Sequence, residues 1–177
     1  MTYYAGADLA RNFRVVRKNT LQIANDIPEG QYGFRAAAGT RSVAELLAHI
    51  VASVRWTYTV HAVDKVSHMT FEDFARYGQE NTAYEGTLTT KADIVAALES
   101  QSASFAEWLD RAGDAVLAET ISFPAGVEPP QKTRFEMLLS AKEHEMHHRA
   151  QLMLMQRLVG IVPHLTRDRE ARMAARK

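Results

Sequence analysis

Four stretches of this chain place apolar side chains at alternating steps of four and three residues, and that repeat leaves few folds open. The first runs from about Asp8 to Ile27, with Leu9, Phe13, Val16, Thr20, Ile23 and Ile27 on one seam, and Pro28 and Gly30 end it. Ser42 and Glu45 form an S-x-x-E capping box that opens a second helix reaching Val63, whose seam reads Leu46, His49, Ser53, Trp56 and Val60. Thr90 with Asp93 caps a third helix that turns Ile94, Leu98, Gln101, Phe105 and Trp108 inward and closes at Ala112 and Gly113. The fourth and longest runs from about Thr133 to Val159, where Gly160 and Pro163 stop it. Phe71 to Tyr77 reads as a short helix and Gly78 to Thr89 as a polar connection. Ala115 to Phe123 leans towards strand, and Pro124, Gly126, Pro129 and Pro130 follow it, which suits a small hairpin or an irregular cover. The expected fold is all-α: a four-helix bundle with long connections and a minor hairpin before the last long helix.

A chain of 177 residues buries roughly 70% of its unfolded surface, enough for a core without disulfides or a structural metal. Any metal it holds is therefore expected to be functional. One domain, residues 1–163, is followed by residues 164–177, a short exposed helix or frayed tail with five Lys and Arg against Asp168 and Glu170. Lys and Arg balance Asp and Glu at 21 each, so no basic field draws phosphates, and neither nucleic acid nor an anionic membrane is an expected partner. The N-terminal residues lack the apolar core of a signal peptide and no run of about 18 apolar residues occurs, which predicts a soluble cytoplasmic protein. The chain has no cysteine, so thiol catalysis and cysteine-ligated metals are excluded and His and carboxylates remain as strong ligands.

The seam of the fourth helix reads Met137, Ala141, His144, His148, Gln151, Met155 and Leu158, with three successive polar positions. Buried imidazoles and amides are costly without partners, and a bound metal is one cause that serves all three. Residues i and i+4 lie one above the other on a helix, so His144 and His148 can present two nitrogens to one ion. His147 falls off the seam and is placed beside the site. His49 is the best third ligand, since it lies mid-seam in the second helix, whereas His61 and His68 sit at or beyond its end and His164 follows Pro163. Alone, His49 would read as a core histidine satisfied by its neighbours; the pair on the fourth helix reverses that reading. His144 to His148 also match H-E-x-x-H, but Gln151 and Leu154 stand where a metzincin has Gly and His, and the downstream carboxylate ligand of other zincins would have to be Glu170 in the polar tail. Glu145 and His148 form one Glu-x-x-His, and a di-iron bundle needs a second that the chain lacks.

His49 in the stretch S-V-A-E-L-L-A-H-I, with H-E-M-H-H-R-A-Q-L at 144–152, resembles the DinB/YfiT-like superfamily of small four-helix metalloproteins. The resemblance covers almost the whole chain; where family members usually show H-H-R-G-Q, Ala150 replaces the Gly. Carried over by position, it implies that His49, His144 and His148 bind a divalent metal. It also raises the prospect that Arg149 braces the fold or site; otherwise Arg149 and Glu145 read as solvated surface charges. Gln151 reads equally as a core amide or as a partner of a ligand at the metal, and Ser53 and Trp56 as pocket wall.

Three neutral imidazoles leave a zinc or nickel ion with an open position, as in catalytic sites. Relatives implied by the resemblance include thiol-dependent S-transferases and a thiol-dependent isomerase. The expected function is therefore a metal-dependent enzyme that activates a low-molecular-weight thiol for transfer to an electrophile. The alternatives are a hydrolase that uses the ion's water and a stress-associated metal-binding protein without turnover. A small molecule and a second copy of the chain are the expected partners.

Overall fold

In a computed structural model, residues 4–176 are described, and they are mostly helical. The order is α1 (Gly6–Asp26), a 3-10 turn (Glu29–Gln31), α2 (Val43–Tyr58) continued by a π turn (Thr59–Val63), and α3 (Phe71–Glu85). Then come α4 (Lys91–Arg111), α5 (Asp114–Ala118), β1 (Thr120–Ser122), β2 (Gln131–Thr133), α6 (Arg134–Leu158) and α7 (His164–Ala174). The helices start where their first turns are satisfied: Ser42/Glu45, Thr70/Asp73, Thr90/Asp93 and Thr133/Glu136 each form a reciprocal capping box. At the end of α6, Gly160 takes a φ of 83° and Ile161 N–H donates back to Gln156 O at 2.8 Å, a left-handed stop.

The long helices α1, α2, α4 and α6 pack on one another through α1–α4, α1–α6, α2–α4 and α2–α6 contacts. All six seam residues expected in α1 are buried. α1 and the end of α4 approach tightly at Gly6, where a Cβ would stand 2.4 Å from the carbonyl oxygens of Leu109 and Ala112. Phe13 meets Phe105 edge-on at 4.9 Å in the same interface. The core divides into one cluster around Ile23, Leu47, Ile50 and Leu98, another around Phe13, Val54, Phe105 and Leu109, and a smaller one of Val60, Met69 and Tyr77. No helix among the described residues is long and apolar enough to cross a membrane.

Several expectations change. Gly78 to Thr89 is not all connection, because α3 continues to Glu85; Gly78 faces open space, so its missing side chain removes no packing. Ala115 to Phe123 is half helical, since α5 precedes β1, and the hairpin is an antiparallel ribbon pairing Ile121 with Lys132. Gly113 does not close α4; Ala112 does, and Gly113, with φ −77°, leads into α5. Of the two forms expected after Pro163, residues 164–174 take the short helix, α7, which is tied to α1 by Arg167 paired to Asp26 and His164 bonded to Asn19. The buried face of α6 is also turned from the expected seam: it runs Arg134, Leu138, Ala141, Glu145, His148, Leu152 and Met155, while Gln151 and Leu158 are exposed. The spacing of four and three is kept, but two charged residues belong to the seam because each has a buried partner.

Candidate metal centre

α2 is buried on most of its surface, and His49 lies on the part between α3 and α6. His144 and His148 sit one turn apart on α6, facing it. The three side chains each offer one ligand atom, and those atoms lie within 4.8 Å of one another. The His144 and His148 Nε2 atoms are 3.0 Å apart. Ring centroids of His49 stand 5.1 Å from His144 and 5.0 Å from His148. His147, by contrast, is exposed and outside the cluster.

The outer nitrogens of two of the rings are engaged. Nδ1 of His49 is 2.8 Å from Glu85 Oε1, and Nδ1 of His148 is 2.9 Å from Gln151 Oε1. An Nδ1–H donated to each oxygen leaves Nε2 with a free lone pair, the tautomer a metal needs. Burial first, then the neighbouring imidazoles, lower the His144 pKa to about 4, and burial likewise lowers that of His148. The two rings on α6 are therefore neutral at neutral pH. Lone pairs converging at this distance repel one another unless a proton or a cation lies between them, so the donor set fits a borderline-soft divalent ion. Among the described residues no acid joins the cluster, and three histidines leave a coordination position for a ligand from outside.

Two cavities flank the histidines. One of about 180 Å³ is lined by Ser53, Trp56, Met137, Ala141 and His144, and one of about 420 Å³ reaches His148 and Gln151. Ser53 lines the smaller one, and its hydroxyl donates to His49 O at 2.8 Å. Trp56 forms its wall, with the indole N–H buried and unpartnered. Gln151 is exposed, not a core amide; it links His148 to His147, whose Nε2 lies 3.2 Å from its Nε2.

Glu145 and Arg149 are not solvated charges. Glu145 is 1% exposed, and both its oxygens are held by Arg17, which also donates to Leu98 O. Glu145 thus faces α1, away from the histidines, and cannot serve as the base that an H-E-x-x-H protease requires. Arg149 is half-buried, and burial lowers its pKa while Glu145 partly opposes the shift. Glu85, the partner of His49, escapes the sequence reading because it closes the half of α3 that looks like a connection. Thr70/Asp73, followed by Phe74, Tyr77 and Tyr84 at helical spacing, is the signal that finds it.

The sequence model of the DinB superfamily matches residues 12–152, which include all three histidines. The crystal structure of a DinB-like protein from Bacillus subtilis, YjoA, superposes with a TM-score of 0.64. That match covers 86% of this chain and 91% of the other at 21% identity, a likeness of fold. No curated protein matches the sequence.

Proposed function

The chain belongs to the DinB superfamily, and on that footing we propose that His49, His144 and His148 hold one divalent transition-metal ion, zinc or nickel, within a four-helix bundle. We propose further that the protein is a metal-dependent enzyme that activates a small thiol for transfer to an electrophile. One observation carries this reading: three imidazoles converge, and two of them have their outer nitrogens tied to Glu85 and Gln151. A structural histidine uses its nitrogens within the fold, whereas these leave one each for a common ligand.

When bound, the ion supplies a positive charge undiminished by its neutral protein ligands, which favours an anionic partner such as a thiolate. The chain's own residues do the rest. Glu85 and Gln151 orient the rings, and Trp56 and Met137 line the smaller approach to His144 with apolar surface. With no cysteine in the chain, the thiol must come from solution.

Elemental analysis of protein purified without an affinity tag should find about one zinc or nickel per chain. Alanine at position 49, 144 or 148 should abolish occupancy, while His147→Ala should retain it. Loss with His147→Ala but retention with His148→Ala would reassign the ligands. Conjugation that requires both metal and added thiol supports the transferase; hydrolysis without thiol would replace it with a hydrolase. Full occupancy with no turnover of either kind would leave a metal-binding protein.

A further inference from the structure

The loop into α2 carries two arginines, Arg35 and Arg41, and only one is engaged by the fold. Arg35 forks onto Glu45 and also donates to Thr40 O. The Thr40 hydroxyl donates to Ala37 O at 2.7 Å, Gly39 turns the chain at φ 77°, and Arg35 bridges to Ser42. Arg41 is thus presented by a fixed loop, yet it is exposed and, among the described residues, has no hydrogen bond or ion pair.

Arg41 lines the 420 Å³ cavity with His148 and Gln151 at one side and Leu46, Leu154 and Met155 along the wall, and no carboxylate lines it. The 180 Å³ cavity on the other side of the histidines has hydroxyls and apolar groups but no charged residue. A guanidinium beside a dication site opposes the cation and becomes favourable once an anion stands within reach of both. Its planar fork suits a carboxylate, and the aliphatic wall suits a hydrocarbon chain.

We propose that this cavity seats a small organic anion, its carboxylate on Arg41, its apolar chain against Leu46, Leu154 and Met155, and its other end at the histidine cluster. The proposal deepens the thiol reading and rests on it for the nature of that other end, which would carry the sulfur. Arg41 then selects anionic thiols over neutral ones.

Titration calorimetry of the protein as purified with metal, using hexanoate, 3-mercaptopropionate and 2-mercaptoethanol, tests the proposal in wild type, Arg41→Gln and Arg41→Lys. Loss of one charge-assisted contact should weaken both carboxylates about tenfold in Arg41→Gln, with Arg41→Lys between, and leave 2-mercaptoethanol unchanged. Unfolding midpoints equal to wild type confirm that an exposed, unpartnered side chain has been changed without harm to the fold. Carboxylates that bind all three proteins equally, or bind none of them, overturn the anion seat. If 2-mercaptoethanol binds in that case, the thiol reading survives without it. If Arg41→Gln loses hexanoate but 3-mercaptopropionate binds wild type no better than hexanoate does, the anion seat stands and the thiol reading falls.

Discussion

His144 and Glu145 are consecutive residues on α6 and face opposite ways into opposite kinds of surroundings. Glu145 is closed: its two oxygens meet Arg17 at 2.8–3.1 Å, and Arg17 gives its remaining arm to Leu98 O. His144 is open: it is half-buried, its Nε2 meets another ring nitrogen, and a cavity lies beside it. The pair with Arg17 is the more deeply buried and joins α1, α4 and α6, yet it has nothing left to offer a ligand. Burial of a polar group therefore does not mark function; bonding capacity left unused and pointing at one place does.

The closed side gives the largest expected effect. Glu145→Ala leaves Arg17 charged and unpartnered in the core, and should cost about 3–5 kcal/mol in urea unfolding. Arg17→Met with Glu145→Leu should recover most of that loss and keep the metal. A single variant as stable as wild type would break the contrast at its structural end.

Chelation tests the open side. Stripping the metal should lower stability by about 4 kcal/mol where free ion had stood a thousandfold above its dissociation constant, with helical circular dichroism intact at 25 °C. Collapse of the helices would mean that the cluster, too, is part of what folds the chain.

The same contrast exists among the histidines. His61 is closed: it lies in the π turn, 3% exposed, with Nδ1 accepting from Arg134, whose other arms hold Glu119 and Val66 O. Burial first, and then Arg134, lowers its pKa to about 3. The unfolded chain binds a proton near pH 6.5 and the folded one only near 3, so stability is complete above 6.5 and is lost as pH falls through that window. His61 alone should account for about 2 kcal/mol of loss by pH 5, read from unfolding at stepped pH. His61→Gln should flatten that slope.

The smallest effect sharpens the open side. Glu85→Gln keeps a hydrogen-bonding oxygen near His49 but removes the carboxylate, and should weaken metal binding about tenfold to a hundredfold in competition with a chelator. Little change in folding stability is expected from the same variant.

Local signals carried most of what the sequence revealed. The α1 seam, the capping boxes and the i, i+4 pair on α6 are written within a few residues of themselves, and His49 followed once that pair was seen. What went unread depends on distance. Arg17 and Glu145 are 128 residues apart, and nothing near either announces the other, so Glu145 looked like surface charge, Arg17 drew no notice, and the α6 seam was drawn one face away. Glu85 was missed for a different reason: α3 buries Tyr77 alone, so its polar second half lacks the apolar stripe by which helices are recognised.

The three proposed ligands also set an order of events. His144 and His148 reach one another within a single helix, but His49 belongs to α2, and α3, α4, α5 and the ribbon are all synthesised before α6. A growing chain therefore has one donor until α6 emerges, and a fragment ending before it has no site. Capture of the proposed ion would be an act of the chain after its sixth helix is made, and the link from α2 to α6 would close the longest loop in the site, whose freedom the unfolded chain would otherwise regain.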